Sequence, residues 1–60
     1  MKVKYTFVVK SRDGTYVVDE HEVYCDNAMQ RVISITNNLI ESWVIRDGMK
    51  FISLNITSHE

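Results

Sequence analysis

Apolar and polar side chains alternate along the first ten residues. Val3, Tyr5, Phe7 and Val9 fall on one side, and Lys2, Lys4, Thr6, Val8 and Lys10 on the other. A period of two places successive side chains on opposite faces of a strand, so a strand is predicted from about Lys2 to Lys10. A second strand is predicted from about Tyr16 to Tyr24, with Val and Tyr at its ends and Asp19-Glu20-His21-Glu22 in its middle. A strand charged in this way belongs at a sheet edge. Its apolar residues change parity between Val17, Val18 and Val23, which predicts a bulge within it. The linking Ser11-Arg12-Asp13-Gly14-Thr15 contains Asp-Gly, the signal of a hairpin closed by a type I′ turn.

From Asp26 the period lengthens to that of a helix. Asp26 or Asn27 is placed to cap it, and Gln30, three residues after Asn27, has capping-box spacing. At about 100° per residue, Ala28, Met29, Val32, Ile33, Ile35, Leu39, Ile40, Trp43 and Val44 share about half the circumference. Asn27, Gln30, Arg31, Ser34, Asn37, Asn38, Glu41 and Ser42 share the rest, and Thr36 alone falls on the wrong side. A second Arg-Asp-Gly follows at Arg46-Asp47-Gly48. It reads either as another hairpin or as a helix stop with Gly48 just past the end, which leaves Val44-Ile45 open between helix and strand. Neither tripeptide is the adhesion motif Arg-Gly-Asp; both are turn chemistry. Alternation resumes from Met49 to Thr57, with Ile52, Leu54 and Ile56 on one side and Met49, Phe51, Ser53 and Asn55 on the other.

A helix between strands two and three returns the chain parallel to strand two, and a right-handed crossover then sets strand three beyond strand one. The predicted fold is α+β: a two-layer β-β-α-β domain with a three-stranded antiparallel sheet of order 2-1-3 and one amphipathic helix on one face. The most apolar strand is then central and the acidic one is at an edge.

Sixty residues, 45% hydrophobic and 25% charged, make one small domain spanning 1–60. Cys25, the single cysteine, has no partner for an internal disulfide, and no Cys/His set has structural-zinc spacing. The chain therefore folds on packing alone or with a partner. No apolar run reaches the ~18 residues of a membrane span, and Met1-Lys2-Val3-Lys4 lacks the pattern of a signal peptide, so a cytoplasmic location is expected. The helix's polar face holds one base and one acid among amides, which gives an anionic membrane nothing to attract.

The net charge of −1 conceals an asymmetry. Residues 1–12 carry Lys2, Lys4, Lys10 and Arg12 without an acid, and residues 13–26 carry Asp13, Asp19, Glu20, Glu22 and Asp26 without a base. Four clustered bases suggest a nucleic-acid contact. Paired as strands, however, these segments set bases against acids across the ladder, and nucleic-acid binding is disfavoured.

Catalytic groups are scarce. His21 and Cys25 stand four residues apart, roughly 13 Å along a strand, too far for a nucleophile and its base. Asp19, His21 and Cys25 share a strand face, a weak metal set beside the plainer reading of a solvated edge. Glu20 and Glu22 have nothing enclosing them that would raise a pKa. Both glycines are used in turns, so no phosphate loop remains. No catalytic residue, metal or cofactor is expected. One helix leaves the sheet's second face open, where Val8, Met49, Phe51 and Val17 or Val18 form either a partner site or a surface shielded by lysine stems. Trp43 reads as core near the helix end or as an interface anchor.

The whole chain resembles the Dmd (discriminator of mRNA degradation) antitoxins of T-even-type phages. The resemblance is carried by the hairpin from Met1, the edge strand ending Glu22-Val23-Tyr24, the helix start Asp26-Asn27 followed by Met29-Gln30, and the Ile45-Arg46-Asp47-Gly48 turn into a last strand. It implies a non-catalytic protein of the host cytoplasm that binds a host RNase LS-type endoribonuclease toxin and protects phage messages by occlusion. It also implies toxin contacts on the start and middle of the helix's polar face. Arg31 stands there where the family can carry an aromatic, and Asn37 or Asn38 lies near a family asparagine. With Trp43 and Phe51 these are the candidate partner-binding residues. The alternatives are an inhibitor of another host enzyme, such as RNA polymerase, a small nucleic-acid-binding module, and a homodimer closing sheet on sheet.

Overall fold

The computed structural model describes residues 1–59. Strands β1 (Lys2–Lys10) and β2 (Tyr16–Tyr24) form a hairpin, helix α1 (Ala28–Leu39) continues as a π-helix over Ile40–Arg46, and β3 (Lys50–His59) completes the sheet. The sheet order is β2-β1-β3, with β1 antiparallel to both neighbours, and α1 packs on one face. The α+β architecture and strand order are those the sequence predicts.

The core follows the alternation of β1. Val3, Tyr5, Phe7 and Val9 are all buried, and they meet Ala28 and Val32 of the helix. Thr36, the polar residue within the apolar arc, is also buried. Its hydroxyl donates to the Val32 carbonyl at 2.9 Å and lies 3.1 Å from that of Ile33, so no polar atom is stranded. Phe7 is the hub, with its ring centroid 5.9 Å from that of Trp43 and 5.8 Å from that of Phe51.

Several local expectations are corrected. The β1–β2 register runs without interruption from Lys2↔Tyr24 to Lys10↔Tyr16, so β2 has no bulge, and Val18 simply faces away from the helix. The irregularity lies instead in β3, where Val8 pairs with Ser53 and Val9 with Phe51, leaving Ile52 as the extra residue. The bulge resets the alternation. Phe51 joins Leu54 and Ile56 on the helix side of the sheet, whereas strict alternation puts it on the opposite side from them.

The hairpin forms, but not through a type I′ turn. Asp13 keeps a negative φ, and only Gly14 is left-handed, at φ 90°. With Gly14 N–H bonded to the Ser11 carbonyl and Ser11 N–H to that of Thr15, this is the three-residue loop with a glycine bulge. The Asp13 carboxylate accepts from the Ser11 hydroxyl and the Thr15 N–H, which together lower its pKa to about 2.

The capping box does not form. Asn27 occupies the N-cap without a side-chain cap bond, and its Oδ1 lies 3.2 Å from Cys25 Sγ. Cys25 itself is a free, half-buried thiol. The helix extends past Val44, but its last two turns adopt the wider π register. Asp47 N–H reaches the Ser42 carbonyl, and Met49 N–H reaches that of Trp43. Val44-Ile45 are therefore helical, and Gly48, at φ 73°, is the helix stop.

The two Arg-Asp-Gly segments meet at this end of the molecule. A Cβ built on Gly48 falls 2.7 Å from Arg12 Nη2, so the first loop's guanidinium lies over the second loop's glycine. Gly48→Ala is expected to cost about 1–2 kcal/mol, because an L side chain resists this φ, and Arg12 must swing aside. Thermal unfolding followed by circular dichroism should show a midpoint lowered by roughly 5–15 °C. An unchanged midpoint would show that the reversal does not depend on glycine.

Candidate functional site

The sheet face opposite the helix is largely polar. It presents Lys2, Lys4, Thr6, Val8 and Lys10 of β1 beside Tyr16, Val18, Glu20, Glu22 and Tyr24 of β2, and Ser53, Asn55 and Thr57 of β3. The apolar patch expected there is reduced to Val8 beside the exposed Val18, since Phe51 lies on the helix side and Met49 packs against the core. Charges pair across the ladder as their segregation along the chain suggests. Lys2 Nζ lies 3.5 Å from Glu22 Oε1, and Lys4 Nζ lies 3.5 Å from Glu20 Oε1. Glu20 also accepts the Thr6 hydroxyl at 2.9 Å; that bond, and then the Lys4 charge, lowers its pKa. Such exposed pairs are weak and screened by salt, but both favour this register. Lys10 lies over the Tyr16 ring at 5.5 Å, and Arg12 over Gly48. Three of the four bases of the nucleic-acid reading, Lys2, Lys4 and Lys10, thus have partners within the chain, and Arg12 is exposed beside Gly48.

On the helix side, β2 brings Asp19 and His21 beside β1. Tyr5 Oη donates to Asp19 Oδ2 at 2.9 Å, and His21 Nε2 lies 3.1 Å from Asp19 Oδ1. Burial, then the hydrogen bond to Asp19 and its charge, push the Tyr5 phenol from 10.0 up to about 12. A buried phenol held in its protonated form serves stability better than acid–base chemistry at neutral pH. Cys25 does not join this group: its Sγ is beside Asn27, and among the described residues no three ligand-type side chains gather as a metal site. Nor is there a pocket among the described residues.

The candidate partner residues fall into two separate groups. Trp43 and Phe51 flank Phe7, Trp43 half-buried and Phe51 44% exposed. Arg31, Asn37 and Asn38 are exposed on the outer face of α1. Arg31 and Asn38 are seven residues apart on one line of the helix, roughly 10 Å along its axis. Ile35, at i+4 from Arg31, lies between them and is exposed. Together they form a strip with an apolar centre and polar ends. Ile35 is a candidate the sequence reading assigned to the core. Its place at the margin of the apolar arc is the signal that marks it. Asn37 lies about 100° around the helix, outside this strip. No helix among the described residues is long and apolar enough to cross a membrane. Comparison with protein-family models, with curated proteins and with solved structures found no match to this chain.

Proposed function

We propose that this chain is a non-catalytic, phage-type antitoxin that acts in the host cytoplasm by binding a host RNase LS-type endoribonuclease, so protecting phage mRNA. The observation that carries the reading is the outer strip of α1. Arg31, Ile35 and Asn38 are exposed together on a rigid element, at the part of the helix where the resemblance places toxin contacts. An aliphatic centre between polar groups suits a protein partner, with Ile35 buried on binding and Arg31 and Asn38 fixing orientation. The nucleic-acid alternative has less support, because Lys2 and Lys4 are paired with carboxylates and Lys10 lies over the Tyr16 ring. An inhibitor of a different host enzyme uses the same strip and differs only in its target.

Co-expression with RNase LS-type toxins is the test. The parent chain is expected to restore growth and to co-purify with its toxin. Arg31→Glu and Asn38→Ala are expected to weaken binding roughly tenfold or more. Both sites are exposed, so stability should stay within about 0.5 kcal/mol of the parent. Failure to rescue growth from any such toxin, together with failure to co-purify, would sink the antitoxin assignment.

A further inference from the structure

The two edges of the sheet differ in chemistry. Beyond its bulge, β3 runs Ser53-Leu54-Asn55-Ile56-Thr57-Ser58 without a charge or a proline, and among the described residues no further strand covers its outer side. A long uncharged edge leaves a row of backbone donors and acceptors ready to pair. The β2 edge carries Asp19, Glu20 and Glu22, which would face one another across a two-fold axis and repel. Helix α1 packs over β1 and β2, and the helix side of β3 is left partly open, with Ile56 36% exposed and Leu54 half-buried.

We infer that β3 pairs antiparallel with β3 of a second copy about a two-fold axis at Asn55, giving a six-stranded sheet with both helices on one face. A two-fold normal to the sheet keeps helix-side residues opposite helix-side residues, which restricts the register. With Asn55 on the axis, Leu54 faces Ile56 of the second copy, Ile56 faces its Leu54, and Ser53 faces its Thr57. Over Ser53–Thr57 each aliphatic side chain meets an aliphatic one and each hydroxyl a hydroxyl, and only at the margin does Ser58 fall opposite Ile52. Centring on Ile56 instead sets Leu54 against Ser58, and centring on Leu54 sets Ile56 against the bulged Ile52. The occupant is a second copy because this short segment is complementary to itself in direction, in charge and in the order of its side chains. The inference does not rest on the antitoxin reading.

Analytical ultracentrifugation of the purified chain, from about 1 µM to about 1 mM, tests it without any toxin present. A reversible dimer is expected. Asn55 is exposed, so Asn55→Lys and Asn55→Glu should fold, which circular dichroism verifies. Each places like charges on the axis and should weaken dimerisation at least about tenfold, and an equimolar mixture of the two should restore it. A monomer throughout the range overturns the inference. So does a dimer indifferent to these substitutions, or variants that stay monomeric when mixed.

Discussion

Replacing Phe7 with alanine is expected to leave the chain largely unfolded at 25 °C. Phe7 lies at the middle of the central strand, is wholly buried, and its ring touches both Trp43 at the helix end and Phe51 beside the β3 bulge. Phe→Ala in a core costs about 3–5 kcal/mol through lost transfer energy and the cavity left behind. A domain of this size, with a single cysteine and so no internal disulfide, holds about the same amount in total. Among the described residues no other side chain links the strand, the π-helix and β3 through aromatic contacts, so the cavity has few ways to collapse. Far-ultraviolet circular dichroism should show loss of the cooperative thermal transition. Phe7→Leu, which keeps most of the volume, should retain it with a lowered midpoint. A Phe7→Ala protein that melted within a few degrees of the parent would refute the hub role.

The second large effect concerns Tyr5 and Asp19. Asp19→Ala removes the acceptor of the buried Tyr5 hydroxyl, and an unsatisfied buried donor costs about 1–3 kcal/mol. Asp19→Asn keeps an acceptor and should lose less. The same contact predicts lability in alkali. Below pH 10 the phenol is protonated in both folded and unfolded chains. Between about 10 and 12 only the unfolded chain gives up the proton, because burial and then Asp19 hold the folded phenol at about 12. The unfolded state therefore binds fewer protons, and stability falls as pH rises through that window. Thermal midpoints measured from pH 8 to pH 12 should drop more steeply for the parent than for Tyr5→Phe. Parallel slopes would show that Tyr5 does not carry the effect.

Much of the architecture is legible in the sequence, and the places where it is not have physical causes. The alternation of Val3, Tyr5, Phe7 and Val9 specifies a central strand because a period of two is a property of the extended backbone itself. The charge segregation between residues 1–12 and 13–26 specifies the Lys2–Glu22 and Lys4–Glu20 pairs once those segments lie side by side. The β3 bulge is different. Ile52, Leu54 and Ile56 alternate faultlessly, and nothing local says that one extra residue at Ile52 turns Phe51 toward Phe7. The Asn27–Gln30 spacing permitted a capping box, but a neighbouring thiol occupies the Asn27 side chain instead.

The candidate site divides in the same way. Arg31 and Asn38 are identified by helical spacing, whereas the exposure of Ile35 between them depends on how α1 is turned over β1 and β2. Sequence alone determined the elements, their order, the central place of β1 and the turn role of both glycines, since each follows from backbone period, side-chain charge or permitted φ. The tertiary structure decided the π register of Ile40–Arg46, the bulge in β3 and the polar character of the open face. Each of those depends on where large side chains such as Phe7, Trp43 and Phe51 find room against one another, and that competition for space exists only after the layers have closed.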